Sequence, residues 1–318
     1  MQKVFIGLIS VVVAIVLSFG LCACDNKKGE NIDLPADIDL VANKSQPLLK
    51  VYDKDAETIV EMQMEEYLLG VLAGEIYNDW PLEALKAQAI LARTYTLYFI
   101  QNNQSKYEGA DISTDITEAQ AYNKDNINDN IKKAVEETKG LVVMKDGQLI
   151  ETYFHSNSGG VTTTAKNGLN YASEDNFSKM VSSPENEGNS ENFSWTASFT
   201  KAEVLSALRE MGVSVVSASS MAVGEKDESG RAKTLVVSGT EFDANTFRLK
   251  IGSTKMKSTL IEDIVVGSTK ITMSGKGYGH GVGMSQWGAK ILAEQGKTAE
   301  EIVEYYFNDI VIELAKFE

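Results

Sequence analysis

Between residues 64 and 101 the chain carries two apolar runs at helical spacing. The residues that interrupt them restrict what the chain can fold into. In the first run Met64, Tyr67, Leu68, Val71, Leu72 and Ile76 recur at the spacing of one helix face. Glu75 lies four residues after Val71 and three after Leu72, so the same stripe carries a carboxylate. A lone carboxylate on a core-facing stripe is costly unless it is paired or protonated. Partial burial raises a carboxyl pKa, and a raised pKa suits a general acid at neutral pH. The competing reading is a helix-end glutamate that turns to solvent or pairs with a lysine. Gly74, beside it, has no side chain to obstruct a ligand.

The second run, Leu82 to Gln101, is rich in alanine and carries Lys86 and Arg93 seven residues apart, hence on one face with Ala89, Ile90 and Leu97. Basic residues on an apolar face need carboxylates, or an anionic or hydroxyl-rich ligand. Gln88 and Tyr95 occupy roughly the opposite side. Ala84, Ala87, Ala89 and Ala92 between them indicate a helix packed closely on most sides, one that organises a site.

The rest of the chain alternates short strands with helices and predicts an α+β fold, with mixed helices and short antiparallel strands. LLKVYD and ETIVEMQ read as strands joined by a turn near Lys54-Asp55. Residues 102–130 are Asn- and Asp-rich and read as irregular, followed by a short helix from Ile131 to Thr138 with Gly140 as its stop. LVVMKDGQLIETYFHS predicts a hairpin turning at Asp146-Gly147. The polar stretch 182–194 reads as an exposed loop. Residues 195–250 read as a small inserted α+β subdomain, with Thr200 as N-cap of a helix over Lys201–Met211. A final helix is expected over Ala299–Phe307.

The 318 residues carry a net charge of -15, which disfavours nucleic acid and anionic lipid headgroups as partners. The only two cysteines, Cys22 and Cys24, follow a short basic start at Lys3 and an apolar run from Val4 to Phe19. Leu21-Cys22-Ala23-Cys24 looks like a bacterial lipobox, which predicts a signal peptide over residues 1–23 and lipidation at Cys24. The alternative is an uncleaved signal anchor. Either places residues 25–318 on the outer face of the cell membrane, with residues 24–46 as a flexible tether and residues 47–318 as the folded domain.

Both histidines lie in polar, Gly-rich clusters, FHSNSGG at 154–160 and GYGHGVGMSQWG at 277–288. Alternating glycines permit tight turns and close approach to a ligand. No phosphate-loop pattern occurs in this region. A Ser-His-Asp arrangement using Ser156, Ser158 or Ser285 lacks a nucleophile elbow. A two-histidine metal site lacks the usual spacing. The plain alternative is a pair of structural turns with satisfied histidines.

GEIYNDWPLEALKAQAILARTY, EAQAYN, FHSNSGGVTT and GYGHGVGMSQWGAKILAEQGKTAEEIVEYYF together resemble the stage II sporulation protein D/amidase-enhancer (SpoIID/LytB) family over about residues 47–312. The resemblance implies peptidoglycan as substrate and a lytic transglycosylase reaction in a glycan cleft, on strands stripped of stem peptides. It implies Glu75 as the catalytic residue. Lys86 and Arg93 become candidates for the lactyl carboxylate of muramic acid or for holding Glu75. Gln88, Gln120, Tyr122, His155, Ser158, His280, Ser285 and Gln286 become candidates for binding sugar hydroxyls and N-acetyl groups. Some members bind zinc near their Q-x-Y motif through cysteines and histidines. STDITEAQAYNKD has neither, so no metal and no cofactor is expected. The implied partners are glycan strands, the membrane through the lipid anchor, and other wall hydrolases. The family's second name supplies a rival reading, a non-catalytic glycan-binding lipoprotein that enhances an amidase.

Overall fold

The computed structural model describes residues 47–315. The signal peptide, Cys24 and the tether lie outside the described residues. No helix among the described residues is long and apolar enough to cross a membrane. The described residues divide into two compact units, 47–152 with 311–315, and 153–310.

In the first unit β1 (Leu48–Asp53) and β2 (Thr58–Gln63) form an antiparallel hairpin, and β3 (Ile112–Ser113) joins β1 in parallel. Helix α1 (Met64–Glu75) follows β2 directly, and α2 (Leu82–Asn102) follows after residues 76–81. Both occupy almost the ranges their apolar periodicity predicts. Helix α3 (Asp129–Glu137), capped by Asn128, leads into β4 (Leu141–Lys145). That strand pairs with β5 (Gln148–Leu149) on one side and with β14 (Val311–Leu314) on the other. Asp146 and Gly147 have φ of 51° and 78°, the left-handed geometry of a tight two-residue hairpin turn. The segment read as irregular at 102–130 is held at Asp115, which accepts from Lys54, Tyr107 and Thr117. Burial pushes the Asp115 carboxyl up, yet those donors and Lys106 hold it well below the usual carboxylate range.

The second unit contains β6 (Phe154–His155), α4 (Ala165–Leu169), β7 (Ser194–Thr200), α5 (Lys201–Glu210), β8 (Met221–Val223), β9 (Thr234–Val237), β10 (Thr240–Asp243) and α6 (Ala244–Ile251). It closes with β11 (Leu260–Val266), β12 (Lys270–Lys276), β13 (Met284–Ser285), α7 (Gln286–Glu294) and α8 (Ala299–Tyr306). Thr200 and Glu203 form a reciprocal capping box at the start of α5. Strand β7 pairs along its whole length with β12, which pairs with β11. The apolar cluster that starts at Trp195 therefore runs on to Met273, past the boundary at residue 250 read from the sequence. The stretch expected as one hairpin ends at Leu149. Phe154–His155 pairs instead with Met284–Ser285 in parallel, which brings the two Gly-rich clusters side by side.

One ion pair locks the helices of the first unit. Arg93 on α2 is buried, and its Nε and Nη2 donate to the two oxygens of Glu65 on α1 at 2.8 and 2.7 Å. Its Nη1 donates to the Leu141 carbonyl, and the Gly140 N–H donates to Glu65. This two-pronged geometry is the strongest form of the pairing. Breaking such a pair leaves one charge stranded. Arg93→Met or Glu65→Gln is expected to cost about 3–5 kcal/mol in urea unfolding. The double replacement Glu65→Leu with Arg93→Met is expected to cost less than either single change.

Candidate functional site

Glu75 is the last residue of α1 and is partly buried. Its surroundings come from residues 120–123, a segment of the region read as irregular. Gln120 is buried and donates to Thr96 Oγ1 on α2 at 2.9 Å. The ring of Tyr122 stacks on Tyr67 of α1 with centroids 5.8 Å apart. Between these two anchors the Ala121 N–H donates to Glu75 Oε1 at 2.6 Å. One residue beyond Tyr122, the Asn123 N–H donates to the Gly70 carbonyl at 2.8 Å.

Two glycines one helical turn apart allow this docking. A Cβ at Gly70 would stand 2.2 Å from the Tyr122 ring, and one at Gly74 2.8 Å from the Ala121 and Tyr122 main chain. The space beside Glu75 at Gly74 is therefore filled by the protein's own backbone, where the sequence suggested room for a ligand.

Two effects compete at the carboxyl. Burial pushes the Glu75 pKa up from 4.5, and the Ala121 hydrogen bond pulls it back; burial wins and the value is about 7. At neutral pH a large share of Glu75 is protonated, so it can donate a proton and its carboxylate can take one back.

The basic residues of α2 do not tune it. Arg93 is committed to Glu65. Lys86 lies 2.9 Å from Glu83 and 3.5 Å from Glu137. The carboxylates their face demanded come from the protein itself. Gln88 is wholly buried within the helix packing. Gln120 likewise faces inward. Among the sequence candidates of the first unit, the structure gathers Glu75, Gln120 and Tyr122 around one short segment.

The candidates of the second unit gather on a different centre. Glu185, in the stretch read as an exposed loop, is 2% exposed. Its Oε1 accepts from Ser158 Oγ at 2.6 Å, Ser285 Oγ at 2.6 Å and the Ser158 N–H at 2.8 Å. Its Oε2 accepts from Ser183, whose hydroxyl lies 2.7 Å from that of Tyr306. Ser158 and Ser285 have no exposed surface. Their hydroxyls serve a buried carboxylate, which removes them as nucleophiles beside a histidine and as direct sugar contacts. Gln286, next to Ser285, opens α7 and is also buried. No sequence signal marked Glu185, because its neighbours are polar and aperiodic.

His155 and His280 lie with ring centroids 5.5 Å apart. His155 Nδ1 is 3.0 Å from the Val282 carbonyl, which can only accept, so this nitrogen carries the proton. By the same argument His280 Nε2 donates to the Phe154 carbonyl at 3.1 Å, while its Nδ1 accepts from the Val282 N–H. Burial, the neighbouring ring and nearby arginines push the His155 pKa well below its usual value; burial and Arg248 push His280 to about 3. Both rings are neutral hinges between β6 and the loop before β13.

A family model described as stage II sporulation protein matches residues 52–144, and one described as a domain of unknown function matches residues 153–283. Stage II sporulation protein D of Bacillus subtilis is 31% identical over 279 residues, covering 83% of this chain and 78% of that protein. The amidase enhancer of the same organism is 31% identical over 286 residues, 76% of this chain and 39% of that protein. An uncharacterised protein of Brachyspira hyodysenteriae is 33% identical over 82% of this chain and 69% of its own length.

Two outcomes test this geometry. Gly74→Ala is expected to displace the Ala121 segment and lower stability by about 1–3 kcal/mol in chemical denaturation. The raised Glu75 pKa also carries a sign. Its contribution to stability is complete below 4.5, the ordinary value, and is lost as pH rises through about 7. Glu75→Gln is thus expected to be more stable than the parent at pH 8, by at most about 3 kcal/mol, and to lose that advantage by pH 5.

Proposed function

Because the chain belongs to the stage II sporulation protein D family, we propose that it is a peptidoglycan lytic transglycosylase with Glu75 as its single catalytic carboxyl group. The observation that carries this reading is the placing of Glu75 at the end of α1, covered by residues 120–123 with its Oε1 accepting from the Ala121 N–H, a setting in which burial pushes its pKa up to about 7. Protonated Glu75 gives its proton to the glycosidic oxygen between N-acetylmuramic acid and N-acetylglucosamine. The bond breaks through an oxocarbenium-like state. The Glu75 carboxylate then takes the proton of the muramic acid C6 hydroxyl, whose oxygen closes on C1 and leaves a 1,6-anhydro end. This route needs neither water nor a second carboxylate, unlike two-carboxylate hydrolases. The substrate is glycan stripped of stem peptides, and the role is wall remodelling such as that of sporulation. The lipobox reading adds an anchor at Cys24 and places the reaction on the outer face of the membrane.

The similarity to an amidase enhancer favours a second reading, a glycan-binding lipoprotein that stimulates a separate amidase without cutting glycan.

Digestion of denuded glycan by the purified chain, followed by mass spectrometry of the ends, separates the two. Anhydro ends are expected, falling about 10²–10⁴-fold in Glu75→Gln. Reducing ends would indicate a hydrolase, and binding without any new ends would favour the enhancer. Because the reaction starts from protonated Glu75, kcat/KM is expected to fall as pH rises above about 7.

A further inference from the structure

The segment that covers Glu75 is tied to α2 by a side chain whose own hydrogen bonding is incomplete. Gln120 is 2% exposed. Its Nε2 donates to Thr96 Oγ1 at 2.9 Å, and its Oε1 is buried without a hydrogen-bond partner among the described residues. Thr96 has no exposed surface, and its hydroxyl donates to the Ala92 carbonyl at 2.9 Å, one turn earlier in the helix. The hydroxyl proton is thereby used, so Thr96 Oγ1 meets Gln120 as an acceptor. A buried amide with one end unanswered is costly, and an apolar side chain of the same length would avoid that cost. Stability alone therefore does not account for a glutamine at this place.

The next residue meets the acid. The Ala121 N–H donates to Glu75 Oε1 at 2.6 Å, and the main chain of Ala121 and Tyr122 lies against Gly74. Beyond it Tyr122 stacks on Tyr67, whose hydroxyl donates to the Ser113 carbonyl at 3.0 Å. Before it Glu118 Oε1 accepts from Ser105 Oγ and the Lys106 N–H. The titratable groups gathered here are Tyr67 on α1, Tyr95 on α2, Tyr122 and Glu118, and the last three act with Glu75 on the Tyr67 hydroxyl. Asp53 and Glu66 act on Tyr122. Lys86 and Arg93 on α2 are held by Glu83, Glu137 and Glu65. On α3 and just before it Lys124, Asp125, Asp129, Lys132, Lys133 and Glu136 are exposed. At Glu75 itself burial pushes the pKa up and the Ala121 bond opposes it.

We propose that Thr96 and Gln120 are positioning residues: their hydrogen bond holds residues 120–123 over Glu75 and thereby sets the environment in which that carboxyl group keeps its proton. This deepens the transglycosylase reading and rests on it only where activity is measured. Loosening the segment lets water reach Glu75. Burial outweighs the Ala121 bond, so losing both moves the midpoint down from about 7 toward the ordinary 4.5.

Three replacements in the whole chain test it. Thr96→Val keeps the shape and removes the acceptor, Thr96→Ser keeps the hydroxyl, and Gln120→Met keeps the length and removes both polar ends. The readouts are the Glu75 carboxyl-carbon titration by NMR, without substrate, and the pH profile of anhydro-end formation. In Thr96→Val and Gln120→Met the midpoint is expected to fall by about one unit or more. Thr96→Ser is expected to keep the parent midpoint. A fall of about one unit reduces the protonated share at pH 7 from about half to about one tenth, so kcat/KM there drops about fivefold and its high-pH limb moves down equally. Thr96→Val added to Gln120→Met is expected to shift the midpoint little further, because both remove the same bond. Thermal unfolding records any loss of packing. A lowered Tm with the midpoint unmoved would make the bond structural only and overturn the proposal. A midpoint that rises, or Thr96→Ser behaving as Thr96→Val does, would overturn it equally. A lowered midpoint in the variants of a chain that makes no anhydro ends would uphold the positioning role and sink the transglycosylase reading instead.

Discussion

The contact between residues 120–123 and the Gly70–Gly74 face of α1 governs the first unit's chemistry. It covers part of Glu75 and brings the Ala121 N–H onto its Oε1. That hydrogen bond offsets only part of the effect of burial, which pushes the Glu75 pKa up to about 7. The two flanking side chains hold this balance, Gln120 through α2 and Tyr122 through α1. The helices themselves are fixed by Arg93 and Glu65, which commits the Arg93 guanidinium to Glu65. A guanidinium beside Glu75 would drive it toward the ionised form.

The second unit handles buried charge differently. Glu185 is surrounded by hydroxyls and an N–H, so it is satisfied without a salt bridge. The two histidines give up their charge and become hydrogen-bonding braces for the glycine-rich loop. The repeated glycines let that loop approach its neighbours. A Cβ at Gly281 would stand 2.6 Å from the Arg231 guanidinium, and Gly279 and Gly281 have φ of 126° and 81°. The motif most conspicuous in the sequence is thus a device for dense polar packing.

The helices and the placing of Glu75 were legible because a 3.6-residue period identifies the buried face, and a carboxylate in that register stands out. The same pattern could not identify what answers Arg93. Glu65 lies 28 residues earlier in the chain, and the sequence offers no rule for such a pairing. Gly74 was read as an opening, yet what fills it is backbone brought in from residue 121. Gln120, Ser158 and Ser285 were legible as a set of polar residues, but their burial was not, since it depends on partners distant in the chain. Glu185 escaped notice for the same reason. The partner strand of β7 begins at Lys270, far along the chain, and local pattern offers no rule for that pairing either.

The central claim is that burial makes Glu75 a near-neutral acid. Titration of its side-chain carboxyl carbon by NMR, in the whole chain with Glu75→Gln to assign the resonance, measures this directly. The account predicts a midpoint near 7. A midpoint near 4.5, the ordinary glutamate value, would contradict it, because the carboxyl would then be ionised at neutral pH with no proton to give.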